Sequence, residues 1–158
     1  MNLTTKQSLE ILGVLSVVLS LLFVAFEIRQ TNQIAMVATE IEIRNNFSEL
    51  NEAMFSDPDL SVLLEKCADP DYQPLIGEYT QLRSLAFRFI NVWLAAEVAY
   101  ENDMLPKATF DVVLDDIGYV LQGVPYMKKP FRDILDGYPG WADTKVVRKL
   151  KKHLEHDT

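Results

Sequence analysis

Residues Ile11 to Phe26 read ILGVLSVVLSLLFVAF: sixteen residues without a charge or a proline, twelve of them Leu, Ile, Val or Phe. As a helix this stretch spans about 24 Å; with Leu9, Glu10, Glu27 and Ile28 added it spans about 30 Å, the thickness of a bilayer's hydrocarbon core. Glu10 and Glu27 then stand near the two headgroup levels, where a carboxylate reaches water. Each Leu, Ile, Val or Phe near the centre of such a helix favours insertion by roughly 0.3–0.6 kcal/mol, so the gross gain is several kcal/mol. The stretch is apolar on all sides, whereas a helix lying on a protein surface keeps a polar face. We therefore expect a transmembrane helix over residues 9–28. A buried core helix and a signal peptide are the competing readings. Against the second, Phe23-Val24-Ala25 puts Phe where a cleavage site needs a small residue.

Within the span the small residues share one helical stripe: Gly13, Ser16 and Ser20, extended by the same period to Glu10 and Glu27. Small residues let two backbones approach closely in lipid, and Ser16-x-x-x-Ser20 has the small-xxx-small spacing. Gly13, Ser16 and Ser20 are thus the candidate membrane-helix contact, with a second copy or the transmembrane helix of another protein as partner. A parallel self-dimer would bring like charges together at Glu10 and Glu27, which counts against it unless they are protonated or reach water.

The net charge of −8 argues against nucleic acid as a partner; the apolar span makes membrane lipid the expected one. The single cysteine, Cys67, makes no intramolecular disulfide and fits a reducing compartment. Lys6 before the span and Arg29 and Arg44 after it nearly balance under the positive-inside rule. Cys67 tips the expectation toward a single-pass protein of the cell (inner) membrane, with the large domain in the cytoplasm.

Four segments follow: a short tail, 1–8; the span, 9–28; a helical extension, 29–55; and a helical bundle, 56–158. Asn2, Thr4 and Thr5 are candidate caps for the first helix. From Glu27 to Phe55 there is neither Pro nor Gly, so that helix is expected to run unbroken from about Lys6 to Phe55. Its outer half carries Ile34, Val37, Ala38, Ile41, Phe47, Leu50 and Met54 at spacings near three and four, read as one stripe that packs on the protein's own helices or forms a coiled-coil seam. Where the span ends, Glu27, Arg29, Gln30 and Asn32 form an interfacial anchor: Arg29 can snorkel to phosphate while uncharged polar residues suit the headgroup zone.

An apolar span closing in Glu27-Ile28-Arg29-Gln30-Thr31-Asn32 resembles the start of a broad group of uncharacterised small bacterial membrane proteins. These have an N-terminal anchor, an I-R-Q-x-N-like run and then a helical domain. The resemblance covers roughly the first 35 residues and is faint around Tyr100-Glu101-Asn102 and Trp141. It implies a bacterial, membrane-anchored, all-helical protein and carries no activity with it.

Beyond the anchor, Ser56-Asp57-Pro58-Asp59 ends one helix and starts a short one to about Cys67. Ala68 to Pro74 is a loop whose aspartates lack the Gly and closing Glu of a calcium loop. Pro74 to Asp103 reads as the central core helix, with Leu82, Leu85, Ala86, Phe89, Ile90, Trp93, Ala96 and Tyr100 inward. Arg83, Arg88, Asn91 and Glu97 argue against its being a second span. A helix from Pro106 to about Gln122 turns Phe110, Val113, Leu114, Ile117 and Leu121 inward and Asp111, Asp115 and Asp116 mostly outward. Tyr126 to Asp136 is a helical segment interrupted by Pro130. Gly137 to Trp141 is a turn whose two aromatics are available to close the domain.

The last helix, about Ala142 to His156, faces Val146, Val147, Leu150 and Leu154 inward. Lys145, Arg148, Lys149, Lys151 and Lys152 form a basic cluster, a candidate contact for anionic lipid or a solvated face. His153 and His156 lack an evident third metal ligand. Two histidines in the terminal helix and one cysteine are a poor basis for nucleophilic catalysis, and no Gly-rich phosphate loop or H-E-x-x-H motif occurs. Glu97, Glu101 and Asp103 are the only acids worth naming for an enzyme, and nothing separates them from ordinary helix-end acids. The expected class is all-α, a single N-terminal transmembrane helix continuing into a long helix with a compact bundle of about four further helices, without catalytic, cofactor or metal site. The expected role is a membrane-anchored interaction or scaffold protein acting through helix–helix contacts. The alternative is a membrane-tethered sensor whose bundle binds a small ligand, in a pocket among Phe87, Trp93, Tyr100 and Trp141.

Overall fold

A computed structural model of the chain describes residues 4–69 and 71–155, and all regular structure in them is helical. Asn2 as a cap, Pro70 of the aspartate loop and His156 of the histidine pair lie outside those residues. The chain divides into two compact units, Met1–Ala38 and Thr39–Thr158.

Helix α1, Thr5–Ser56, is unbroken through 52 residues, as the absence of Pro and of interior Gly beyond Gly13 dictates. It starts where the Gln7 side chain accepts the Thr4 N–H at 3.1 Å, half of a capping box. In the first unit its side chains from Gln7 to Ile34 are exposed.

In the second unit α1 continues, followed by five more helices. Asp57 caps α2, Pro58–Lys66, by accepting the N–H groups of Asp59 (3.0 Å) and Leu60 (3.3 Å). Pro58 takes the first position, where no N–H is needed. Helix α3, Ile76–Glu101, is the centre of the core, and Glu78 reaches back to accept the Leu75 N–H at 2.8 Å. It ends in a Schellman motif: Asp103 sits at φ 56°, its N–H donates to Tyr100 O, and Met104 N–H donates to Ala99 O. Helix α4, Lys107–Gly123, leads through a 3₁₀ turn, Pro125–Met127, to α5, Lys128–Gly137. A second 3₁₀ turn, Pro139–Trp141, precedes α6, Lys145–Glu155.

Helix α3 packs against α4, α5 and α6. Its inward residues are the expected ones, buried from Leu82 to Ala96, with Tyr100 half-buried at the end and stacked on Phe110 at 4.6 Å. Trp93 is wholly buried between Phe89 and Phe131, with ring centroids at 5.3 and 5.6 Å. The inward face of α6 is also as expected.

Three expectations fail, each for a geometric reason. Pro130 does not interrupt a helix: it is the third residue of α5, in the first turn, where N–H groups have no intrahelical acceptor. Asp116 is not on the outer side of α4 but half-buried at the edge of the Trp93 indole. The apolar residues of outer α1 are not one stripe. Ile43 and Leu50 are buried, with Phe47 and Met54 packed beside them at spacings of four, three and four. Ile41, two residues before Ile43 and so roughly 200° away around the helix, is 52% exposed.

Candidate functional site

The structure disposes the candidate residues in separate places. Gly13, Ser16 and Ser20 lie on α1 in the first unit, all exposed. Both hydroxyls turn back on their own helix: Ser16 Oγ donates to Leu12 O and Ser20 Oγ to Ser16 O, each at 2.8 Å. The polar atoms are thereby satisfied within the helix, and the stripe presents a low apolar surface. A methyl group built on Gly13 would meet nothing within 4 Å. Glu27, Arg29, Gln30 and Asn32 are exposed at the next two turns. Among the described residues α1 is the one helix long and apolar enough to cross a membrane; its most apolar window has a mean hydropathy of 2.6, and none of that window is buried.

The basic cluster of α6 is split. Lys145 pairs with Glu101 at 3.4 Å and lies over the Tyr100 ring at 4.6 Å, and Lys149 pairs with Asp115 at 3.4 Å. Arg148, Lys151 and Lys152 are exposed, at spacings of three and four that put them on one face.

The four aromatics of the expected ligand pocket do not converge. Trp93 is sealed in the core, Tyr100 stacks on Phe110, and Phe87 meets Tyr138 edge-on at 5.5 Å. Tyr138 in turn stacks on Trp141 at 4.5 Å, closing that end of the bundle.

The acids near the end of α3 have distinct roles that spacing alone did not separate. Glu97 is 3% exposed and accepts the N–H groups of Lys145 (2.5 Å) and Val146 (2.9 Å), the free donors at the start of α6. It caps a helix distant in sequence. Glu101 is an exposed ion-pair partner, and Asp103 is the left-handed residue that ends α3. His153 packs on Gly118, where a methyl group would lie 3.2 Å from its ring. Among the described residues no three His, Cys, Asp or Glu side chains are grouped to hold a metal ion. Cys67 is buried, and burial pushes its thiol up from the ordinary range.

A groove of about 490 Å³ lies in the second unit between α1 and α4. Ile43, Arg44 and Phe47 form one wall; Ala108, Thr109, Val112, Val113 and Asp116 form the other. The volume is that of a small-molecule site, and the walls are mostly apolar. Asp116 accepts the Trp93 Nε1–H at 2.9 Å. Burial holds its carboxyl above the usual range, against the opposing pull of that hydrogen bond. Arg44 is engaged by Glu40 at 2.8 Å, and Glu40 also accepts from Thr109 Oγ1 at 3.2 Å. That arginine's hydrogen bond holds the Glu40 carboxyl below its usual range. The groove was not legible in the sequence, because Asp116 reads there as one of three outward aspartates.

The chain matches no known protein family. Neither a curated protein nor a solved structure matches it either.

Proposed function

We propose that this chain is a single-span membrane protein that works as a scaffold, through a helix–helix contact made by the face of α1 that carries its small residues. The observation that carries this reading is one of phase. Gly13, Ser16, Ser20, Phe23, Glu27, Gln30, Ile34 and Val37 succeed one another at alternating spacings of three and four along one unbroken helix. That is the period of a two-helix seam. Gly13, Ser16 and Ser20 are small enough for close backbone approach. The outer half ends in Ile34 and Val37, which are 63% and 58% exposed. A soluble core helix would bury its apolar window, and this one buries none of it. A signal sequence has no need of a helix that continues thirty residues past Phe26 to Ser56. In this reading the protein sits in the inner membrane of a bacterium with its larger unit in the cytoplasm. Glu27, Arg29, Gln30 and Asn32 lie at the headgroups, and Arg148, Lys151 and Lys152 are available to anionic lipid.

A photo-crosslinking residue at Ile34 or Val37 in cells tests the seam, with the Ser16→Leu/Ser20→Leu protein alongside. A defined crosslinked partner, whether a second copy or another membrane protein, is expected from the wild type and is lost in the double variant. Crosslinks confined to the same chain in both would refute the reading.

A second reading, a tethered sensor with a ligand in its helical unit, is favoured by the groove at Asp116 rather than by the four aromatics. Its test is a saturable change at Trp93, which Asp116 touches, with none at Trp141.

A further inference from the structure

Helix α4 carries three aspartates with different fates. Asp111 pairs with Lys107 at 2.5 Å and Asp115 with Lys149 at 3.4 Å. Asp116 is the most buried of the three, and it alone has no ion pair among the described residues. Among the described residues its only hydrogen bond comes from the neutral Trp93 indole. Arg44, the one cation among the described residues lining the groove, is paired with Glu40 at 2.8 Å. An anion drawn out of water without a counter-ion is unfavourable, and a cation supplied from outside relieves it. The walls beside it, Ile43, Phe47, Val112 and Val113, accept an apolar body rather than a hydrated metal ion.

We infer that the groove between α1 and α4 binds an organic cation with an apolar body, an alkyl or aralkyl ammonium, its charged head at Asp116 and its body along Ile43, Phe47, Val112 and Val113. This rests on the second, ligand-binding reading and names its ligand class. Charge complementarity selects the occupant. A fatty carboxylate would set two anions together in a half-buried site, and a neutral chain would leave Asp116 without a counter-ion. The groove is open along Val112, which is 68% exposed, so a ligand enters without unfolding the unit.

The test uses the full chain in lipid nanodiscs with ¹⁵N-labelled tryptophan. Trp93 and Trp141 are its two indoles, one hydrogen-bonded to Asp116 and the other stacked on Tyr138, outside the groove's walls. Hexylamine, hexanol and hexanoate share an apolar body and differ in the head. Hexylamine at neutral pH is expected to shift the Trp93 indole resonance saturably and leave Trp141 unmoved. Hexanol is expected to bind about tenfold or more weakly, and hexanoate weaker still. Asp116→Asn keeps an acceptor for the indole while removing the charge, and should bring hexylamine down to the affinity of hexanol. Val112→Trp, a change at the exposed rim, should block all three. If hexanol binds as tightly as hexylamine, or Asp116→Asn leaves their ratio unchanged, the cation assignment falls and an apolar ligand site stands. If no probe moves Trp93 in a protein whose spectrum is otherwise folded, the ligand reading falls with it.

Discussion

Glu97 supports a sharp stability prediction, because a single buried side chain holds the start of another helix. Its carboxylate accepts two N–H groups of α6, and the Val146 donor is fully buried. Glu97→Ala leaves both without a partner. A buried unsatisfied donor costs about 1–3 kcal/mol. The Lys145 N–H is only half-buried and recovers part of its share from water. Adding the space left by the truncated side chain, the expected loss is about 3–4 kcal/mol. Glu97→Gln keeps one acceptor but turns an amide donor toward the other N–H, for a loss of about 1–2 kcal/mol. Glu101→Ala, four residues on and 56% exposed in its pair with Lys145, should lose less than about 0.5 kcal/mol. The assay is urea unfolding of the full chain in mild detergent, followed by tryptophan emission, since the buried Trp93 ring reports on the core. With a slope of about 2 kcal/mol per molar urea, Glu97→Ala should lower the midpoint by about 1.5–2 M at unchanged slope. Equal effects of Glu97→Ala and Glu101→Ala, or a Glu97→Ala loss below about 1 kcal/mol, would refute the capping role.

Three further outcomes follow from single contacts. Asp103 holds a left-handed conformation that Gly adopts without steric cost, so Asp103→Gly should stabilise the protein by about 0.5–1 kcal/mol; an unchanged or lower unfolding midpoint would count against it. Gly118→Leu drives a side chain into the His153 ring where α4 meets α6 and should cost about 2–3 kcal/mol by the same urea assay, whereas Gly118→Ala sets a gain in helix propensity against a 3.2 Å contact and should be nearly neutral. The Leu75 N–H, then the Tyr72 hydroxyl and Lys66, hold the Glu78 carboxyl below its ordinary 4.5. A carboxyl lowered in the folded state stabilises above its unfolded value and loses that contribution as the pH falls through its folded value. Thermal midpoints of wild type and Glu78→Gln should therefore differ at pH 7 and converge as the pH falls from 4.5 through the lower folded value; a constant gap would show that the charge is not what matters.

How much of this was legible in the sequence depended on whether a residue's partner was near in the chain. Apart from the break expected at Pro130, the helices, their boundaries near Pro58 and Pro106, and the inward faces of α3 and α6 follow from local spacing and punctuation. What spacing could not supply is which side of a helix its neighbours choose. Ile41 and Ile43 are equally apolar, and only the packing of the helical unit makes Ile43 core and leaves Ile41 exposed. Likewise Asp116 differs from Asp115 by one residue, about 100° of helix rotation, which takes it from solvent to the edge of the Trp93 indole. Glu97 looked like an ordinary helix-end acid because the helix it caps begins 48 residues later.

These failures share a cause that bears on function. A carboxylate inside a helical bundle survives only with partners, and the second unit provides them from within for Glu97, through two backbone donors. For Asp116 it provides, among the described residues, a neutral indole and no ion pair. The first unit shows the opposite economy. Its serines spend their hydroxyls on their own helix, so its small stripe keeps no polar group that another helix must satisfy. A contact at these serines would rest on close packing, which makes it sensitive to bulk at positions 16 and 20. Ser16→Ala/Ser20→Ala should therefore preserve the crosslinks that Ser16→Leu/Ser20→Leu abolishes. Loss of crosslinks with alanine as well would mean that the hydroxyls leave their own carbonyls to bond across the interface, and the packing account would fail.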